Sequence, residues 1–126
     1  MKVFLTGIIL FIHDVPTLKS FYMRNFNMRL LEESETNDWV LLEAGPCTIG
    51  LHKIGPEYET SEAPLPNAES NTKLVFDVVE DIVEIRERLL NEGVLVKDIK
   101  TFPNYEYWLC DGEDTEGNVF QLRQKK

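Results

Sequence analysis

A few residues of this chain have the chemistry to meet a small molecule. His52 follows Gly50 by two positions in Thr48-Ile49-Gly50-Leu51-His52, so strand alternation puts both on one face. A histidine there could donate a hydrogen bond or act as a base near neutral pH; the plainer reading is a solvated residue at a strand rim. Gln121 and Arg123 share a face of the last strand by the same rule. The guanidinium of Arg123 could hold a carboxylate or phosphate bidentately, against the plainer reading of a rim arginine paired with one of the many acids. Trp39, and the group Phe102, Tyr105, Tyr107 and Trp108 around Pro103, offer surface for a flat or apolar ligand; core and dimer packing would use them equally well. Alternation sets Tyr105 and Tyr107 on one side, and Glu106 and Trp108 on the other. His13 sits beside Asp14 and reads as a structural strand-end residue. A metal site from His13, Glu43 and His52 has no support in their strand positions. Cys47 and Cys110 have no basic neighbour in sequence to lower a thiol pKa, and neither is read as a nucleophile.

The elements that must position these residues follow from hydrophobic period and punctuation. Val3 to Ile12 is apolar and β-branched, as a strand. Asp14 can cap a helix with Pro16 in its first turn, Leu18, Phe21 and Tyr22 pack inward, and Asn27 stops it. Met28–Glu33, Trp39–Glu43 and Cys47–Ile54 read as strands. Residues 56–72 hold Pro56, Pro64 and Pro66, with Glu57, Glu59, Glu62 and Glu69 and no basic residue. They read as a solvated linker that could also attract a cation. The order then repeats: a strand from Lys73 to Val79, and a helix capped by Asp81 with Glu84 as its capping-box partner. The helix carries Ile82, Ile85, Leu89 and Leu90 on its stripe and stops at Gly93. Strands Val94–Thr101, Tyr105–Cys110 and Asn118–Arg123 follow. Asp114-Thr115-Glu116-Gly117-Asn118 is the turn before the last strand, with Gly117 and Asn118 both tolerant of positive φ. Strand-helix-strand-strand-strand thus occurs twice, which points to an internal duplication.

The 126 residues are 43% hydrophobic, enough for one domain with its own core. A net charge of −9 argues against nucleic acid, which needs a basic face, and would steer a cationic ligand favourably. Two cysteines make no disulfide framework, so a reducing, cytoplasmic setting is expected. No run reaches the roughly 18 apolar residues of a membrane span.

Taken together, Ile9 to Asp14 with Ser20-Phe21-Tyr22, Leu74-Val75-Phe76-Asp77-Val78, Glu80-Asp81-Ile82, Gly93-Val94 and the Asp114–Asn118 turn resemble the glyoxalase/bleomycin-resistance/extradiol-dioxygenase (vicinal oxygen chelate) superfamily. That turn stands where the family usually has Asp-Pro-Asp-Gly-Asn. The resemblance implies one α+β domain over residues 1–126, built of paired βαβββ modules whose curled mixed sheets form a cup. The modules would be 1–55 and 73–126, joined by 56–72, and a homodimer is frequent in the family. Metal-dependent relatives place ligands at four cup-facing positions, which here are Gly7, Gly50, Leu74 (or Lys73 one residue earlier) and Gln121. Glycine and leucine bring no donor atom, and one amide oxygen is far from the three or four ligands a transition metal takes. The resemblance therefore implies a metal-free protein that binds a small ligand, in the manner of bleomycin-resistance sequestration of a small organic or cationic drug. Its expected contacts are Trp39, Gly50, His52, Tyr105, Trp108, Gln121 and Arg123. No catalytic residue, cofactor, nucleic acid or membrane is expected, and the partners are the ligand and a second copy. The alternative is a metal-dependent glyoxalase-type lyase or isomerase, or a dioxygenase, with displaced ligands.

Overall fold

The computed structural model describes residues 2–56 and 72–126. The segment read as a linker, with its four glutamates, lies outside the described residues except at its two ends. The described residues fall into two compact units, one on each side of that segment. The first holds β1 (Gly7–Ile12), α1 (Val15–Phe26), β2 (Arg29–Glu33), β3 (Trp39–Ala44) and β4 (Cys47–Lys53). The second holds β5 (Leu74–Asp77), α2 (Ile82–Asn91), β6 (Leu95–Val96), β7 (Tyr107–Glu113) and β8 (Val119–Lys125). Both are βαβββ, with strand orders β1-β4-β3-β2 and β5-β8-β7-β6. In each sheet the first strand runs parallel to the last, and the other pairs are antiparallel.

Local chemistry sets the helix limits. The Asp14 carboxylate accepts from the Thr17 amide at 3.1 Å, and Asn27 closes α1 in the left-handed region at φ 53 with its own N–H on the Tyr22 carbonyl. Asp81 caps α2 by accepting from the Val83 amide at 3.0 Å, and Gly93, at φ 81, ends it. Val15, Leu18, Phe21 and Tyr22 are buried on α1, and Ile82, Ile85 and Leu89 on α2. Leu90 is exposed, so the second stripe is narrower than its sequence suggests. Each helix packs on one face of its own sheet, α1 over β3 and β4, α2 over β6, β7 and β8. Val40, Leu42, Ile49 and Leu51 form the first sheet's buried face, and Leu74, Cys110, Phe120 and Leu122 the second's. Gln124 shows which side α2 takes, since its amide oxygen accepts from the Ile82 N–H at 2.9 Å.

β1 begins at Gly7 and not at Val3, with Val3, Phe4 and Leu5 exposed before it, and two strands of the second unit depart further from the sequence reading. Instead of a strand over Val94–Thr101, only Leu95 and Val96 form a ladder with β7. The Lys97 amide then bonds the Asp111 carbonyl and the Lys100 amide the Leu109 carbonyl. Three steps on one side thus match two on the other, which is the signature of a bulge. β7, in turn, does not stop at Cys110. Asp111 and Gly112 look like turn chemistry, yet they pair with Gln121 and Phe120 in register. A Cβ on Gly112 would lie 2.9 Å from the Leu95 carbonyl oxygen, so only glycine lets the strands close here.

The true turn is the next five residues. Asp114 is buried, and its carboxylate accepts from the amides of Glu116 (2.9 Å) and Asn118 (3.0 Å) and from the Asn118 side chain (2.9 Å). Gly117 takes the positive φ, 83; Asn118 does not. Several hydrogen bonds converge on one buried carboxylate, each worth about 1 kcal/mol net. Asp114→Ala should therefore lower unfolding free energy by about 2–3 kcal/mol, read as a reduced urea midpoint with unchanged slope.

Candidate functional site

With a helix on one face of each sheet, the chemistry lies on the other, helix-free face. On the first sheet, pairing aligns this face in cross-strand rows. Phe11, His52 and Trp39 form one row, Ile9, Gly50 and Leu41 the next, and Gly7, Thr48 and Glu43 the third. The first row is aromatic: the His52 ring lies 5.4 Å from Phe11 and 6.0 Å from Trp39, centroid to centroid. Phe11 is 69% exposed and Ile9 52%, an unusual outlay of apolar surface for two strand residues. His52 Nδ1 lies 2.7 Å from the Lys53 carbonyl oxygen, so that nitrogen carries the hydrogen and Nε2 is left as the acceptor. Glu43 is paired with Arg29 at 2.6 Å.

The two glycines of this face are not vacant positions. A Cβ on Gly50 would fall 2.7 Å from Trp39 Cζ3, because the indole lies over the bare backbone. A Cβ on Gly7 would run into Thr48 Oγ1. The missing side chains are what allow Trp39 and Thr48 to sit where they do.

On the second sheet the helix-free face carries Val75 and Asp77 from β5, Gln121 and Arg123 from β8, and Tyr107, Leu109 and Asp111 from β7. Arg123 forks onto Asp77, Nε to Oδ1 at 2.6 Å and Nη2 to Oδ2 at 3.0 Å, and lies 4.3 Å over the Tyr107 ring. The bond to Asp77 pushes the guanidinium pKa up, and the bond from Arg123 brings that of Asp77 down. The bidentate geometry expected toward a ligand is thus already used within the sheet. Tyr105 joins this face through its ring contact with Tyr107 at 5.7 Å. Trp108 does not: it pairs with Gln124 on the side that carries α2, with Lys126 Nζ 4.9 Å from its ring.

The centre of this face is a residue the sequence reading passed over. Asp111 is buried at 7% exposure. Its Oδ2 accepts from Lys73 Nζ at 2.8 Å, with Lys100 Nζ at 3.5 Å, and its Oδ1 accepts from Gln121 Nε2 at 2.8 Å. Burial pushes the Asp111 pKa up, but hydrogen bonds from Lys73 and Gln121 and the charges of Lys73 and Lys100 outweigh it, and the net direction is down. A signal existed in the sequence. Once the turn is closed between Asp114 and Asn118, stepping back three residues on each strand brings Asp111 opposite Gln121. Of the seven residues named from sequence, the first sheet's helix-free face thus holds Trp39, Gly50 and His52, and the second's holds Gln121, Arg123 and Tyr105.

Two mixed βαβββ sheets define the vicinal-oxygen-chelate fold. The Glyoxalase/Bleomycin resistance protein/Dioxygenase superfamily model matches residues 5–122, and the chain belongs to that superfamily. Among solved structures it is similar to the genomically encoded fosfomycin resistance protein FosX from Listeria monocytogenes (TM-score 0.78, 16% identity, 100% of this chain and 96% of that one). It is similar to lactoylglutathione lyase from Agrobacterium tumefaciens (0.73, 15%, 98% and 95%). It is also similar to TnmS3, an antibiotic-binding protein from Streptomyces sp. CB03234 (0.74, 19%, 99% and 98%). A search of curated proteins found no match. Among the described residues, no helix is long and apolar enough to cross a membrane.

The donor set does not fit the divalent metal that the family implies. Gly7 and Gly50 have no donor atom, and their space is filled by neighbours. Leu74, one reading of the third ligand position, faces α2 and is buried. Its neighbour Lys73 reaches the helix-free face instead and puts an ammonium on Asp111. Two lysines there repel a divalent cation. Among the described residues, no three of His, Cys, Asp and Glu group to hold a metal, which includes the set His13, Glu43 and His52.

The lowered Asp111 pKa has a stability consequence. Its contribution is fully present above the unfolded value of about 3.9 and is lost as pH falls through the lower folded value. Lys73 is half-exposed, so the pair is discounted for solvent screening. Lys73→Met should lose about 1–2 kcal/mol at pH 7. That deficit should shrink below about pH 4, as read by urea unfolding across pH.

Proposed function

We propose that this chain binds a small organic molecule without a metal and sequesters it, rather than transforming it. The observation that carries the reading is the uncovered aromatic and aliphatic row of the first sheet: Ile9, Phe11, Trp39 and His52, with the indole laid over Gly50. Flat apolar surface of this kind suits an aromatic or hydrophobic guest, and His52 Nε2 offers one acceptor to orient it. The donor-poor positions 7 and 50 support the metal-free part. The solved structure of an antibiotic-binding protein with the same fold supports small-molecule holding as a use of this architecture. Assembly as a homodimer in a reducing cytoplasm goes with this reading, and the free thiols Cys47 and Cys110 agree with it.

The test is a thermal-shift and tryptophan-fluorescence screen of aromatic and cationic antibiotics with a chelator present. Dose-dependent stabilisation that survives the chelator is expected. Trp39→Ala and Phe11→Ala should each weaken binding about tenfold or more, as loss of a buried aromatic contact implies. Trp108→Phe, on the helix side of its sheet, is the comparison and should change affinity less than about twofold. A stoichiometric transition metal in protein purified without chelators, with binding or turnover only in its presence, would replace this reading by the lyase or dioxygenase alternative.

A further inference from the structure

One carboxylate with two ammonium groups is not a balanced pair. Lys73 and Lys100 both approach the same oxygen of Asp111, at 2.8 and 3.5 Å, although their like charges repel. Gln121 holds the other oxygen and fixes the carboxylate in place. Each ammonium has three N–H donors, and Asp111 takes at most one from each. The lysine side chains are 45% and 48% exposed, whereas the Asp111 side chain is only 10% exposed. The carboxylate is therefore buried beneath its cations, and the spare donors remain in reach of solvent. The lysines come from different places, the entry to β5 and the bulged segment after β6, so one helix or turn does not explain their convergence.

We propose that the Lys73–Asp111–Lys100 cluster is a recognition site for an oxyanion, a carboxylate or phosphonate-type group on a small organic ligand. The inference rests on the reading that the chain holds a small organic ligand, and it adds the class of charged group that this cluster can recognise. Asp111 is the internal counter-ion: it keeps the two ammonium groups together while the site is empty and competes with the ligand for them. Gln121, with its N–H engaged by Asp111, keeps its carbonyl oxygen as an acceptor for a ligand hydroxyl. The overall negative charge does not decide against an anion here. Surface fields are screened over about 8 Å at physiological salt, so the groups in contact set the preference. The pair also differs from the Arg123–Asp77 fork on the same face, where charges match one to one.

Four aromatic probes of similar size separate the possibilities by calorimetry and NMR titration, at low salt with a chelator: benzoate, phenylphosphonate, benzyl alcohol and benzylamine. The anions should bind about tenfold more tightly than the alcohol and the amine, and lose that advantage as salt rises. The ratio of benzoate to phenylphosphonate tells which oxyanion the site takes. Lys100→Met should weaken the anions about fivefold or more, with a smaller effect on benzyl alcohol. Asp111→Asn should tighten the anions, because the competing carboxylate is gone while the side chain can still accept from Lys73. A purely structural cluster would not produce that gain. Lys73→Met is the parallel variant, and Lys100→Met carries the test should Lys73→Met fail to fold. The proposal is overturned if benzylamine binds as well as the anions, or if Lys100→Met and Asp111→Asn leave anion affinity unchanged. Should benzyl alcohol bind and the anions bind no better, the oxyanion site falls and the ligand-binding reading stands. Should none of the four bind, and no member of the antibiotic screen either, both fall.

Discussion

A carboxylate removed from water must be met by charge and by hydrogen-bond donors, or it takes up a proton. Asp111 is met by three side chains from three separate segments, and much of the second unit follows from that need. β5 must begin where Lys73 can reach across two strands. β8 must present Gln121 toward β7 and not toward α2, which fixes Phe120 and Leu122 as core. The segment after β6 must bulge so that Lys100 returns to the ladder opposite Leu109 and points at the same oxygen. A one-residue slip of β8 would bury Gln121 under the helix and expose Phe120, so packing and polar satisfaction select the same register.

The same logic bears on the proposed metal-free reading. A divalent cation and an ammonium both neutralise a buried carboxylate. The ammonium comes with the chain, carries one charge, and supplies N–H donors where the ion would supply open coordination sites. On the first sheet, Gly7 and Gly50 admit Thr48 and the Trp39 indole against the backbone, so both positions are part of a packed surface. Each sheet, taken by itself, has its own surface chemistry: exposed aromatic and aliphatic side chains on the first, a charged cluster on the second.

Much of the architecture was legible in the residues themselves. The caps Asp14 and Asp81, the stops Asn27 and Gly93, and the stripes of α1 and α2 all act within a few residues, and local chemistry is what a sequence displays. The alternation that separates Gln121 and Arg123 from Phe120 and Leu122 is equally local. Tertiary structure decided what depends on partners distant in the chain. It extended β7 through Asp111 and Gly112, because pairing with β8 overrides their turn preference. It reduced a long expected strand to Leu95–Val96, because a bulge there depends on the register of β7. It turned Trp108 toward α2, occupied Arg123 with Asp77 from 46 positions away, and set Trp39 over Gly50. Above all, it gathered Lys73, Lys100 and Gln121 around one carboxylate. Period and capping are properties of neighbours and can be read from the sequence in order; electrostatic compensation of a buried charge is a property of proximity, which exists only once the strands have paired.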